Sequence, residues 1–167
     1  MRYIKDIILI PLFVVLLQVL VLNQMHITWY ATPFLYIWLI MRMPNELSRM
    51  SLISFGFVIG LLIDIFCNTL GMHALAFTTM AFMKAPVLFL FVGREDFKTG
   101  ICSIQTMGIA LYLRYAITLT LLFTIILFGV EAFSLNSLSV VFVKIVCSTL
   151  STMLLILGVE GLNYNRR

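Results

Sequence analysis

From Ile7 to Met41 the chain runs for 35 residues without an Asp, Glu, Lys or Arg. A run of this kind is long enough to cross a hydrocarbon core of about 30 Å at about 1.5 Å per residue. The whole chain is 62% hydrophobic and 11% charged, with a mean hydropathy of +1.11. Soluble domains carry charge on about a quarter of their residues, so these values exclude a soluble fold, and they also exclude disordered, collagenous and disulfide-scaffold classes. The sequence therefore predicts an integral membrane protein with almost no extramembrane domain.

The chain divides into six apolar segments that are separated by turn residues or charge clusters. They cover approximately residues 5–22, 30–43, 50–67, 72–92, 104–128 and 138–160. Arg2 and Lys5 precede the first segment as in a signal peptide, but no small-residue cleavage site follows, so we expect an uncleaved span. We predict one polytopic membrane domain over residues 1–167, an all-α membrane protein folded as a compact bundle of six transmembrane helices.

The distribution of basic residues predicts the topology. Cytoplasmic loops of membrane proteins are enriched in Lys and Arg. If both termini are cytoplasmic, that side holds eight basic residues: Arg2, Lys5, Arg42, Arg49, Arg94, Lys98, Arg166 and Arg167. The opposite connections, 23–29, 68–71 and 129–137, hold none. We therefore expect both termini in the cytoplasm and a short second segment that crosses the bilayer. Nucleic acid is not an expected partner, because the basic residues are few and scattered.

Several polar side chains fall inside the predicted spans. A charged residue there costs about 2.5–3.5 kcal/mol on insertion scales and normally faces the interior of the bundle. We expect a buried polar network that contains Gln18, Asp64, Lys84, Arg114 and Lys144. By depth Asp64 should pair with Lys144, or otherwise with Arg114. Lys84 and Arg114 share a middle layer without an obvious anion; either they snorkel and cap carbonyl groups, or they meet an acidic or phosphate-bearing partner.

The third segment has a distinctive face. Gly56, Gly60 and Asp64 recur at four-residue spacing and so lie on one stripe of a helix. The G-x-x-x-G pattern allows another helix backbone to approach closely. This seam, Gly56 to Asp64, can pack inside the bundle or form a lipid-facing groove for a partner helix. In the sixth segment Lys144, Ser148 and Thr152 form a second polar stripe at the same spacing.

We expect no catalytic residues, no cofactor and no metal site. Asp64 and His73 lie close to one predicted turn, but one Asp and one His make a poor metal site. The three cysteines, Cys67, Cys102 and Cys147, have no metal or redox spacing and are expected to pack as small apolar residues.

The stretch from Gly56 to Asp64 (GFVIGLLID), followed by Leu70 to Ala76 (LGMHALA), resembles the signature of the rod shape-determining protein MreD family. The chain length, Gln18 in the first segment and Pro33 at the start of the second are also similar to that family. The resemblance covers the whole chain in layout and is specific over Gly56 to Ala76.

The resemblance implies a six-helix fold similar to the substrate-binding subunits of energy-coupling-factor transporters. It also implies a non-catalytic scaffold of the bacterial inner membrane that binds MreC in the cell-elongation machinery. That machinery includes RodA and the elongation transpeptidase, and it is linked to MreB filaments beneath the membrane. The alternative, which the buried charges motivate, is a membrane transporter subunit that binds a small molecule or a lipid-linked precursor.

Overall fold

The computed structural model describes residues 11, 13–22, 32–69, 71–92, 100–132 and 138–164. Every regular element in these residues is a helix. We label them α1 (13–22, with a π-helical end at Gln18–Leu22), α2 (Ile37–Arg42), α3 (Arg49–Cys67), α4 (Met72–Phe91), α5 (Ile104–Met107), α6 (Ile109–Ala132) and α7 (Leu138–Tyr164). The predicted all-α class is confirmed for this part of the chain.

Four helices, α3, α4, α6 and α7, are long and apolar enough to cross a membrane. They account for the third, fourth, fifth and sixth predicted segments. The first predicted segment is described only from residue 11 onward, without residue 12, and its earlier part lies outside the described residues. Four such helices in one chain indicate a multi-pass membrane protein, by their length and composition.

The predicted second span, 30–43, is not one continuous helix. Its helical part, α2, has six residues and is about 9 Å long, too short to cross a bilayer. Residues 32–34 precede it in non-helical conformation. The helix ends at Arg42. The next residue, Met43, has an extended backbone (φ −61°, ψ 139°), because the residue before a proline, here Pro44, is disfavoured in the α region.

The predicted fifth span, 104–128, is interrupted near its start. Gly108 adopts a φ of +78°, a conformation open to glycine, and separates α5 from α6. The hydroxyl of Ser103 accepts a hydrogen bond from the Thr106 N–H in a reciprocal cap of α5. The long helix α6 then begins at Ile109 and continues to Ala132, four residues beyond the predicted end.

The interior of the bundle lies where α4 and α6 meet. α4 packs against α3 on one side and against α6 on another, and α6 packs against α7. Rings from α4, α6 and the segment before α2 form an edge-to-face cluster with centroids 5.1–6.1 Å apart: Phe34, Tyr36, Phe77 and Phe123. The outward faces carry large exposed apolar side chains, such as Ile65, Leu90 and Leu154. Such faces suit contact with lipid.

Candidate functional site

Asp64 caps the start of the next helix. The Oδ1 atom accepts a hydrogen bond from the backbone N–H of His73 at 3.0 Å, and Oδ2 accepts one from the N–H of Ala74 at 2.8 Å. The hydroxyl of Thr69 also donates to Oδ1. Gly71, at the N-cap position of α4, has no side chain that could accept these bonds. A carboxylate from α3 therefore supplies the cap, at the helix end where negative charge is favoured.

The predicted pairing of Asp64 with Lys144 is wrong. In the described part of the chain, backbone amides and a hydroxyl, rather than a cation, contact the Asp64 carboxylate. Lys144 instead donates to Glu131 Oε1 at 2.6 Å, and its ammonium lies 5.8 Å from the centre of the Phe128 ring. The position of Lys144 near one end of its helix was predicted correctly from its depth in the sequence. Glu131 lies at the same level, and it is closer to Lys144 than Asp64 is.

The glycine seam packs inside the bundle. A Cβ atom on Gly60 would lie 2.5 Å from the Cα of Ala74 and 2.9 Å from the carbonyl oxygen of His73. A Cβ on Gly56 would lie 3.1 Å from Ala81 Cβ. The seam is thus the surface on which α3 meets α4. The alternative of a lipid-facing groove at Gly56 and Gly60 is wrong, because both residues are buried.

Gln18 holds the non-helical segment that precedes α2. Its Nε2 donates to the carbonyl oxygen of Pro33 at 2.8 Å, and its Oε1 accepts from the N–H of Leu35 at 2.9 Å. The side chain is 3% exposed. Non-helical backbone inside a membrane protein needs partners of this kind, since lipid offers none. Gln18 is thus buried and hydrogen-bonded, but its partners among the described residues are backbone groups and not the other residues of the predicted network.

The polar stripe of α7 contacts the same segment from the other side. Ser148 Oγ accepts from the Thr32 N–H at 3.2 Å, and Thr152 Oγ1 accepts from the Phe34 N–H at 3.0 Å. Both hydroxyl residues are fully buried. The third residue of the stripe, Lys144, does not join them, because it pairs with Glu131.

Lys84 and Arg114, predicted to share a layer, lie in different environments. Lys84 is 2% exposed, and its ammonium donates to the carbonyl oxygen of Met43 at the end of α2. It lines a pocket of about 220 Å³ together with Arg49 and Asn45. Arg114 is on an exposed face of α6, so its predicted burial is wrong. Sequence depth does not determine how a helix is rotated about its axis.

An ionic cluster at the end of α7 was missed by the sequence analysis. Glu160 is 4% exposed; its Oε2 accepts from the indole N–H of Trp38 at 3.0 Å and lies 3.7 Å from Arg42 Nη1. The guanidinium of Arg42 also lies 4.9 Å from the centre of the Trp38 ring. Both ionic residues are on the predicted cytoplasmic side. Their common position at the predicted cytoplasmic side is the sequence signal that could have identified the pair of Arg42 and Glu160.

His73 also takes part in a buried polar contact. Its Nδ1 lies 2.7 Å from the hydroxyl of Tyr36, and the rings of Phe34 and Tyr36 pack edge-on against the imidazole. The main chain of His73 meanwhile binds Asp64. In the described ranges, His, Cys, Asp and Glu side chains form no group of three that could hold a metal ion. Most of the predicted polar residues thus hold the protein's own backbone in place.

Comparison of the chain with protein-family models, with curated proteins and with solved structures finds no match.

Proposed function

We propose that the chain is a non-catalytic membrane scaffold of the bacterial rod complex, a member of the MreD family that binds MreC in the inner membrane. One observation carries the proposal: the buried polar groups at Asp64, Gln18 and Glu160 hydrogen-bond the chain's own backbone or neighbouring side chains. Polar groups that are hydrogen-bonded inside the protein in this way build a rigid bundle. The apolar outer faces of the helices remain available for partners.

The residues of the family resemblance support this assignment. Gly60, Asp64 and His73 all act at the junction of α3 and α4, as a close-contact point, a helix cap and a buried hydrogen-bond partner of Tyr36. A motif whose residues all stabilise one helix junction is expected in a protein whose function depends on its architecture. The motif therefore fits a scaffold better than a catalytic centre.

We further propose six crossings, with the segment 32–42 completing the second. This segment runs alongside α7: Thr32 contacts Ser148, Phe34 contacts Thr152, and Trp38 contacts Glu160. From Ser148 to Glu160 an α-helix rises about 18 Å. The segment thus extends over most of the hydrocarbon thickness and in the same direction as α7. A six-span layout of this kind is what the resemblance to the MreD family implies, with a fold similar to the substrate-binding subunits of energy-coupling-factor transporters.

The partner surface is proposed to be an outward helix face. A partner with a single membrane anchor, such as MreC, can pack on exposed apolar side chains of α3 or α7, for example Phe57, Phe142 and Leu154. RodA, the transpeptidase and MreB would then be reached through the complex. Cytoplasmic Arg42 and Arg49 are close to anionic lipid or acidic partner segments in this arrangement.

Site-specific photocrosslinking in native bacterial membranes tests the scaffold proposal. A photoreactive phenylalanine analogue is placed at Phe57, at Phe142 or at Leu154, with fully buried Phe77 as the control position. We expect MreC to be crosslinked from at least one exposed position and from none at Phe77. If neither MreC nor any wall-synthesis protein is recovered from the exposed positions, the proposal fails.

A second candidate function is a transporter subunit that binds a small molecule or a lipid-linked precursor. The pocket beside Lys84 is the observation that favours it. A thermal-shift screen with water-soluble compounds distinguishes the two functions. A ligand that stabilises the wild-type protein and Arg114→Ala but not Lys84→Ala would favour the transporter subunit over the scaffold.

A further inference from the structure

The pocket beside Lys84 has a positively charged lining. It lies between the loop after α2, the start of α3 and the last three turns of α4, where Asn45, Arg49 and Lys84 contribute polar groups. The remaining walls are apolar, with Leu52, Phe82 and Leu88 among them. Among the described residues that line this pocket, none is Asp or Glu. A site with two cations and one amide is complementary to an anion.

Two of the three N–H donors of Lys84 are not bound by Met43. An ammonium group has three N–H donors, and Met43 accepts one of them. No carboxylate in the described residues lies within ion-pair distance of Lys84. A charge that is 2% exposed and lacks a counter-ion is unfavourable unless something in the adjoining space binds it. The two remaining N–H donors of Lys84 are therefore available to an anionic ligand in the adjoining pocket.

The framework around Lys84 is fixed by other contacts. The Asn45 amide donates to Cys102 Sγ at 3.4 Å, and the Asn45 N–H donates to the Gly100 carbonyl oxygen at 3.0 Å. Ser48 caps α3 by accepting from the Ser51 N–H at 3.1 Å. The loop that carries Asn45 and Arg49 is thus held in place, and the pocket does not depend on the position of one side chain.

The position and the volume of the pocket limit the class of ligand that it can bind. Lys84 is seven residues before the end of α4 at Phe91, which places it about 10 Å from that helix end. The pocket extends from this depth to Asn45 and Arg49, at the predicted cytoplasmic surface, where phospholipid headgroups lie. A volume of about 220 Å³ is far above the roughly 10–15 Å³ that one water molecule needs, and it leaves room for a phosphate group.

We propose that this pocket binds the phosphate group of an anionic ligand, with Lys84 as the buried cation and Arg49 as the second cation at the rim. Charge-assisted hydrogen bonds to phosphate are about twice as strong as neutral ones. The apolar walls favour a phospholipid headgroup over free phosphate, because they can contact the first part of the acyl chains. This inference goes beyond the scaffold function and does not depend on it.

Native mass spectrometry of the full chain tests the proposal. Purified protein is titrated with phosphatidylglycerol, with phosphatidylcholine and, in a separate arm, with inorganic phosphate. The variants are Lys84→Met, which removes the charge and keeps the length, and Arg49→Gln. Arg114→Gln is the matched control, because Arg114 is also a basic residue of a membrane helix but lies outside the pocket.

We expect phosphatidylglycerol to bind at least about tenfold more tightly than phosphatidylcholine, because the latter carries a compensating positive charge. Lys84→Met should weaken binding about tenfold, and Arg49→Gln about fivefold, the effect of one basic group near a membrane surface. Arg114→Gln should bind as the wild-type protein does. Binding of inorganic phosphate alone would support the anion site and overturn the lipid as its source.

Two results would overturn the site itself. The first is an equal affinity for both lipids together with no binding of inorganic phosphate. The second is wild-type binding by both Lys84→Met and Arg49→Gln. Arg49 is exposed at the start of α3, so Arg49→Gln is expected to fold even if Lys84→Met does not. The Arg49→Gln result alone then decides, with unchanged binding counting against the site.

Discussion

The Oδ2 atom of Asp64 accepts a hydrogen bond of 2.8 Å from the backbone N–H of Ala74, across the turn between two membrane helices. This bond makes the end of α3 the cap of α4. Because a glycine occupies the N-cap position of α4, the helix has no local acceptor for its first amides. A charge that would be unfavourable in lipid is thus stabilised by amide donors and by the positive end of a helix.

Replacement of Asp64 by alanine should destabilise the protein by about 2–4 kcal/mol, because the N–H groups of His73 and Ala74 both lose a buried acceptor. Asp64→Asn keeps one carbonyl oxygen and should lose about half as much. The measurement is unfolding in detergent micelles followed by circular dichroism. Glu46→Ala, at an exposed loop position, is the control. Wild-type stability of Asp64→Ala would contradict the capping role.

Gly60→Ala should be more damaging than the same change elsewhere in the chain. The new Cβ would lie 2.5 Å from the Cα of Ala74, so α3 and α4 would have to separate. Overpacking of this kind costs about 1–3 kcal/mol or more. Gly158→Ala adds the same methyl group to α7, where nothing lies within 4 Å. Thermal unfolding in the same detergent compares the two variants, and equal midpoints would disprove the close contact.

The sequence predicted the Gly56–Asp64 stripe because both glycines and the carboxylate follow the helical period, which is a local property. It failed for the partner of Asp64, because depth alone suggested an ion pair. The actual partners are the Thr69 hydroxyl and two backbone amides nine and ten residues onward. The sequence does not show which backbone amides a carboxylate will bind. The glycine at the start of α4 was the available clue, since it leaves that helix without a cap of its own.

The second segment was predicted to cross the membrane as a helix because it is apolar and because the basic residues before the first segment and after the second should lie on one side. What decides its conformation is distant in sequence: Gln18, Ser148 and Thr152 supply the hydrogen bonds that a non-helical backbone needs. Arg114 illustrates the same limit for the candidate site. Its depth could be counted from the sequence, but its exposure depends on the rotation of α6 against its neighbours.

Gln18→Leu should destabilise the bundle by about 2–4 kcal/mol, because the carbonyl oxygen of Pro33 and the N–H of Leu35 would both lose their buried partner. Gln105→Leu, at an exposed position of α5, should change stability by less than about 0.5 kcal/mol. Limited proteolysis and thermal unfolding of both variants provide the comparison. If the two variants unfold alike, Gln18 does not hold the segment.

Charge reversal should identify the partner of Lys144. The ammonium lies 2.6 Å from Glu131 Oε1, and the two side chains are 20% and 29% exposed. Lys144→Glu and Glu131→Lys should each destabilise the protein, because each places two like charges together. The double variant should recover about 0.5–3 kcal/mol relative to the sum of the single changes, the usual coupling of residues in contact.

Lys144→Asp combined with Asp64→Lys should show no such recovery, since Asp64 binds the start of α4 instead. Double-mutant cycles measured by unfolding in micelles separate the two pairings, and a rescue confined to the Asp64 combination would contradict the structure.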